Sequence, residues 1–229
     1  MHVPVPLQGV LSVPFRMFGV RRSRMNPNTC TVCELMFTRV MRVRKVSIDA
    51  TVLFADLRGY TSLTQSLSAD AVAGLLDAFY DECAEAIWEE DGLLNKTIGD
   101  AVMAVFNFPI RDDDHTARAI RAARGIQARC AAKRSSLARE FGLTGSELGV
   151  GIGIDTGALS FGVFGQSHRD LTAIGTVVNT AARAQSAAEP GQILVTRAVH
   201  EKVGPDLALG PARGYQLKGF EAPVELHAA

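Results

Sequence analysis

The chain has 229 residues, 24 cationic and 24 anionic side chains, a formal charge of zero at pH 7, and 47% hydrophobic residues. That length accommodates one large domain, or an ordinary domain with an appendage, and the apolar fraction supports a real core. It excludes a disordered or strongly polyionic chain, and no apolar stretch reaches the ~20 residues of a membrane span.

The charge is unevenly spread. Up to Lys45 there are eight cations (Arg16, Arg21, Arg22, Arg24, Arg39, Arg42, Arg44, Lys45) and one acid, Glu34, leaving sixteen cations against twenty-three acids beyond. Such a basic leader suits a solvated or docked segment, or weak contact with an acidic membrane surface or a regulator. No nucleic-acid partner is expected. Val3 to Val20 is broken by Pro4, Pro6 and Pro14 and lacks the cation and long apolar run of a signal peptide, so the expected location is cytoplasmic.

In chain order, residues 1–27 read as irregular. Cys30 and Cys33 form a CxxC, which supplies two zinc ligands where a structural site needs four, unless two chains pool theirs. Residues 34–46 suit a short amphipathic helix leading into a body over 47–229. The apolar run 51–55 reads as a strand. Ser68 caps a helix over 69–90 with Val72, Leu75, Leu76, Phe79, Cys83 and Ile87 on one stripe. Asp91-Gly92 ends it. Strands over 93–97 and 101–106 form a hairpin about Gly99-Asp100. Asp112, Asp113 and Asp114 favour the start of a helix running to about Arg139, with Ala119, Ala123, Ile126 and Cys130 inward. Cys83 and Cys130 are thus expected as free thiols in the core.

Gly149 to Asp155 alternates and predicts a half-buried strand, with a partner over 158–164 after a Thr156-Gly157 turn. Residues 166–170 read as an exposed polar insertion, and 176–188 as a helix. A strand at 193–195, a helix near 197–202 and strands near 207–209, 215–218 and 223–227 complete the chain. The order β-α-β-β-α-β predicts an α+β fold with a ferredoxin-like core and additional C-terminal strands and helix.

Two of these strands end in carboxylates. Asp56 closes the run Thr51-Val52-Leu53-Phe54-Ala55, and Asp100 sits in the hairpin turn beside Gly99, four residues after Lys96. In this topology the two can approach, and paired carboxylates persist most readily with cations between them. Hard oxygen ligands without His or Cys point to Mg2+ or Mn2+ and a phosphate substrate. The loop Leu57-Arg58-Gly59-Tyr60-Thr61 lets backbone N–H groups approach a polyphosphate. Asn179 and Arg183, at i and i+4, share a helix face suited to a ribose and a phosphate oxygen.

From about Ser47 to Leu226 the chain resembles a class III nucleotidyl cyclase catalytic domain. The matching blocks are TVLFADLRGYTSLT (51–64), LLNKTIGDAVMAVF (93–106), GIGIDTGALSFGVFG (151–165), DLTAIGTVVNTAAR (170–183), GQILVT (191–196) and YQLKGF (215–220). The resemblance implies an adenylate cyclase that converts ATP to cyclic AMP and pyrophosphate. It also implies a homodimer with head-to-tail shared active sites and two Mg2+ or Mn2+ ions in each. Asp56 and Asp100 match the metal-binding aspartates. Lys96 matches the purine-reading lysine, and Thr172 stands where many members carry Asp and one adenylyl subgroup carries Thr. Asn179 matches the ribose-orienting residue, Arg183 the transition-state arginine, and Lys218 resembles the lysine near the triphosphate. Lys96 is a donor without acceptor capacity, which favours adenine N1 over the N1–H of guanine. A guanylyl or mixed-purine cyclase, and a silent nucleotide-binding subunit, are the alternatives. Two positions depart from the family pattern: Thr176 replaces an Asp, and Gly151 stands where many members have a phosphate-facing Arg.

Overall fold

The computed structural model describes residues 12–23, 25–141, 149–167, 169–204 and 207–229. Helices α1 (Val13–Met17) and α2 (Thr31–Val43) lead into β1 (Val46–Arg58). Next come α3 (Tyr60–Ser66), α4 (Ala69–Glu89), the hairpin β2 (Leu93–Ile98) and β3 (Ala101–Phe106), and α5 (His115–Phe141). The remainder is β4 (Gly149–Phe164), β5 (Asp170–Ile174), α6 (Thr176–Ala187), β6 (Ile193–Thr196), α7 (Arg197–Lys202), β7 (Arg213–Tyr215) and β8 (Val224–Ala228).

The strands form one sheet in the order β2-β3-β1-β4-β6-β8-β7, with β5 paired to β4. The first four positions are the expected βαββαβ core. Pairing is antiparallel except between β4 and β6. One face carries α4 and α5, whose Leu75, Phe79, Cys83, Ile87, Ile120 and Ile126 pack on Leu53, Ala55 and Leu57 of β1. The opposite face carries α6 and α2, with Val177, Ala181 and Met41 against Val52, Phe54 and Met103. Ser68 caps α4 by accepting from the Ala71 N–H, as its sequence position predicts.

The strand over 51–55 is longer than expected because the apolar run marks only what is covered on both edges. β3 begins to pair with β1 at Thr51, whereas residues 46–50 pair with β4 alone and alternate in exposure. The turn at Thr156-Gly157 is not there. β4 runs unbroken for 16 residues, in register with β1 from Arg58↔Gly149 to Val46↔Phe161. Gly157 instead lets α6 come close, since a Cβ there would lie 3.2 Å from Val177 Cγ2. Nor is 149–155 half-buried: all seven residues are buried, and the glycine face is filled by Pro190, Arg58 and α6. The partner of 158–164 is β5, which folds back on β4 from Phe164↔Asp170 to Ser160↔Ile174 and takes up the end of the expected insertion.

At the C-terminal edge, 207–209 is not a strand; Leu207 and Leu209 pack onto the core, and Gly210 N–H donates to the Ala228 carbonyl at 2.8 Å. The strand expected at 215–218 lies at 213–215. The helix expected over 34–46 starts earlier, at Thr31, because Cys30 serves as its N-cap. The leader docks through α2, whose Phe37 and Met41 join the core while Val32, Leu35, Met36, Val40 and Val43 are exposed. Among the described residues, no helix is long and apolar enough to cross a membrane.

Candidate active site

Asp56 continues the alternation of Ala50, Val52 and Phe54, so its carboxylate emerges on the α6 side of the sheet as β1 leaves the core. Asp100 is brought beside it by the hairpin. Ala101 is in register with Asp56, and Leu57 N–H donates to the Asp100 carbonyl at 3.1 Å. The turn needs Gly99, whose φ of 60° is left-handed. Tyr80 of α4 pins that turn by donating its hydroxyl to the Gly99 carbonyl. Burial first, then the charges of Tyr60 and Asp100, raise the Tyr80 phenol above its ordinary value and keep it a donor.

The two carboxylates feel each other. Burial, reinforced by the charge of Asp100, pushes the Asp56 carboxyl up to about 6, and Arg58 opposes the shift. Arg58 Nη1 lies 3.5 Å from Asp56 Oδ1. Its guanidinium spreads over Gly151, where a Cβ would stand 2.2 Å from Nε, and it donates to the Gln185 carbonyl of α6. Its Nε is buried without a hydrogen-bond partner among the described residues. The departure at Gly151 therefore has a structural counterpart: a cation from the adjacent strand occupies the space above that glycine.

The expected loop 57–61 is instead a strand–glycine–helix junction. Leu57 and Arg58 end β1, Gly59 has φ 79°, and Tyr60 and Thr61 open α3, with Ser62 N–H returning to the Gly59 carbonyl at 3.0 Å. Backbone N–H groups of that first turn still lie directly after the Asp56 strand end.

A second cluster forms where β5 meets β2. Lys96 pairs with Asp170, Asn95 Nδ2 donates to the Leu171 carbonyl at 3.0 Å, and Thr172 Oγ1 donates to Asn95 Oδ1 at 3.4 Å. Lys96 and Thr172 are thus brought into one cluster. Asp170 and Asn95 were missed by sequence reasoning. The signal for Asp170 was its place two residues before Thr172, hence on the same face of a strand that the polar insertion concealed.

Asn179 and Arg183 do share a face of α6, and it is the outer one. The helix buries Val177, Thr180, Ala181, Ala184 and Gln185 against its own sheet and leaves Asn179 and Arg183 exposed. Thr176, the other departure, is the first residue of that helix, and its carbonyl accepts from Thr180 Oγ1 at 2.9 Å. Lys218 is exposed in the turn between β7 and β8, whose Leu217 and Phe220 pack with Ala184. Three strands, β4, β6 and β8, separate β7 from β1 in the sheet order, so one chain does not gather Lys218 with Asp56 and Asp100.

The donor set at Asp56 and Asp100 fits a hard divalent cation. Burial and then the neighbouring Asp100 charge raise the Asp56 carboxyl, a cost that a cation between the two would relieve, and among the described residues no group of three or more His, Cys, Asp or Glu side chains is placed to hold a metal ion. A magnesium-like ion completes such a two-carboxylate site with water and substrate phosphate oxygens.

A family model described as the adenylate and guanylate cyclase catalytic domain matches residues 43–226. The chain belongs to that family. An adenylate cyclase of Anabaena cylindrica is 35% identical over 153 residues, covering 65% of this chain and 30% of the relative. The adenylyl cyclase CyaB from P. aeruginosa superposes with a TM-score of 0.73 at 28% identity, over 81% of this chain and 95% of that one. The guanylyl cyclase Cya2 gives 0.74 at 27%, over 80% and 92%. The chain thus spans under a third of the Anabaena relative but nearly the whole of each cyclase structure, whose class III fold it shares.

Proposed function

We propose that this cyclase-family chain converts ATP to 3′,5′-cyclic AMP and pyrophosphate at sites shared between two copies of itself. The observation that carries the reading is the split of the candidate site. The carboxylates Asp56 and Asp100 lie at the end of β1, whereas Asn179 and Arg183 face outward from α6, away from their own sheet. A head-to-tail pair of chains brings one set to the other twice over.

In this reading, Asp56 and Asp100 would hold two Mg2+ or Mn2+ ions. When bound, such ions acidify the ribose 3′-hydroxyl and neutralise the β- and γ-phosphates. Backbone N–H groups at Gly59, Tyr60 and Thr61 and the cations Arg58 and Lys218 bind the triphosphate. Asn179 orients the ribose so that its 3′-oxygen is in line with the α-phosphorus. Arg183 meets the charge that grows on the phosphoryl oxygens, a contribution typically of ~3–4 kcal/mol. Lys96 donates to adenine N1 and Thr172 accepts from the exocyclic amine.

The ion pair of Lys96 with Asp170 favours a second reading, because it sets a carboxylate acceptor beside the purine-reading donor. A carboxylate there suits the N1–H and amine of guanine. Measuring cyclic nucleotide formed by purified chain with Mg2+ or Mn2+, from ATP and from GTP, decides between them. Cyclic AMP as the main product supports the first reading, GTP preference replaces it with the second, and no product from either overturns both.

A further inference from the structure

The pair Cys30 and Cys33 takes no part in the cyclase site, which lies at the other end of β1. Cys30 is the N-cap of α2 in an extended conformation, and Cys33 is in its first turn. Their sulfurs are 3.4 Å apart, and Cys33 N–H donates to Cys30 Sγ at 3.4 Å. Cys30 is buried and Cys33 exposed.

The surroundings hold this arrangement rather than leaving it to a loose tail. Thr31 N–H donates to the Arg21 carbonyl at 2.8 Å and Ser23 N–H to the Thr29 carbonyl at 2.9 Å, tying the approach to the helix start. The strap is fastened to the α4–β2 elbow. Trp88 Nε1 donates to the Met25 carbonyl at 2.9 Å, and Asn26 Nδ2 donates to the Gly92 carbonyl at 3.0 Å. Both sulfurs are free, and the other two cysteines are inward: Cys83 is buried in the core and Cys130 packs against it.

We propose that Cys30 and Cys33 are a reversible dithiol–disulfide site that exchanges with small disulfides of the oxidised-glutathione class. The exposed Cys33 thiolate attacks one sulfur of the disulfide. One glutathione leaves as a thiolate and takes up a proton, and a mixed disulfide remains on Cys33 Sγ. Cys30 then attacks Cys33 Sγ, closing the intramolecular bond and releasing the second glutathione. Two protein thiols are oxidised, one glutathione disulfide is reduced to two thiols, and the two protons end on them.

Exposure sets this order: the hydrogen bond with Cys30, then burial, raises the Cys33 thiol, but its sulfur is the one that solvent reaches. Burial raises the Cys30 thiol, but hydrogen bonds from the Cys33 and Val32 backbone and the Cys33 thiol more than offset it, and its pKa falls below the usual value. A thiolate at a helix N-terminus is further favoured by the orphan N–H groups there. Cys30 is thus a competent resolving thiolate that bulk oxidants reach poorly.

The sequence provides a clean readout, because trypsin releases residues 25–39 as one peptide holding both cysteines and neither Cys83 nor Cys130. Folded full-length chain is equilibrated with reduced and oxidised glutathione in varied ratio, quenched with acid and alkylated. The expected result is loss of two hydrogens in peptide 25–39, without retained glutathione, reversed by dithiothreitol. Cys30→Ser should trap a stable glutathione adduct on Cys33, and Cys33→Ser should leave Cys30 nearly unmodified. A wild-type chain that keeps glutathione on Cys33, or that stays fully reduced in oxidised glutathione alone, overturns the proposal. So does zinc retained by the pair at one ion per two chains and blocking oxidation.

Discussion

Replacing Asp56 by Asn should make the protein more stable while abolishing its chemistry. The Asp56 carboxyl is raised from 3.8 to about 6, so its ionised form is disfavoured in the folded chain by about 2 pKa units, or roughly 3 kcal/mol. The sign follows from linkage. With the folded value above the unfolded one, the penalty is fully present above pH 6 and fades as the pH falls from 6 towards 3.8. Asparagine keeps the shape and carries no charge to desolvate, but Arg58 loses a partner 3.5 Å away, returning up to ~1 kcal/mol. The net gain at pH 8 is therefore about 2 kcal/mol, which for a chain of this size raises Tm by roughly 4–8 °C. Thermal unfolding of both proteins without divalent cation, at pH 8 and pH 4.5, measures it. The advantage should be largest at pH 8 and mostly gone at pH 4.5, and added Mg2+ or Mn2+ should stabilise the wild type and not the variant. An unchanged or lower Tm at pH 8, with no dependence of the difference on pH, would refute the carboxylate-repulsion argument.

Four other changes probe what positions the site. Gly153→Ala places a Cβ 2.0 Å from Gln185 N and 2.3 Å from the Ala181 carbonyl, both backbone; denaturant unfolding should show a loss of about 3 kcal/mol or more. For Gly151→Ala the nearest atoms are those of the Arg58 guanidinium, a side-chain end that can move, so it should cost little stability and instead raise KM for the triphosphate by dislodging that cation. Tyr80→Phe removes the hydroxyl that holds the Gly99 carbonyl; it should cost ~1 kcal/mol of stability and lower kcat more than it raises KM, because Asp100 follows that turn. Asp170→Asn frees Lys96 of its partner and should shift turnover further towards ATP; a shift towards GTP would contradict the role given to Lys96.

What the sequence makes legible divides along physical lines. Elements whose signal is local were readable: the Ser68 cap and apolar stripe of α4, the hairpin about Gly99-Asp100, and the strand that delivers Asp56. The Asp56–Asp100 approach followed from topology alone, and the structure joins them through one backbone bond from Leu57. Long-range packing was not readable. The glycines of β4 look like turn or half-exposed positions in isolation, yet they are explained by α6, Arg58 and Pro190 pressing on them. β5 was hidden because its polar residues Asp170 and Thr172 look like loop residues in isolation, and only their contacts with Lys96 and Asn95 across the fold reveal their place. Arg58 was legible as part of a phosphate loop, but its spread over Gly151 depends on a neighbour more than ninety residues away in the chain. Cys30 was a ligand candidate by motif, and only the helix start at Thr31 reveals it as a cap.

The shared-site arrangement is tested most directly by mixing two inactive variants, Asp100→Ala and Arg183→Ala. Each chain alone should yield no cyclic nucleotide, since every site in its homodimer lacks one required group. Chains mixed in equal amounts and allowed to exchange should regain about a quarter of the wild-type rate, because half the dimers are mixed and each mixed dimer has one intact site. Failure of the mixture to form product, with exchange verified by a tagged chain, would contradict the account; so would full activity of either variant alone.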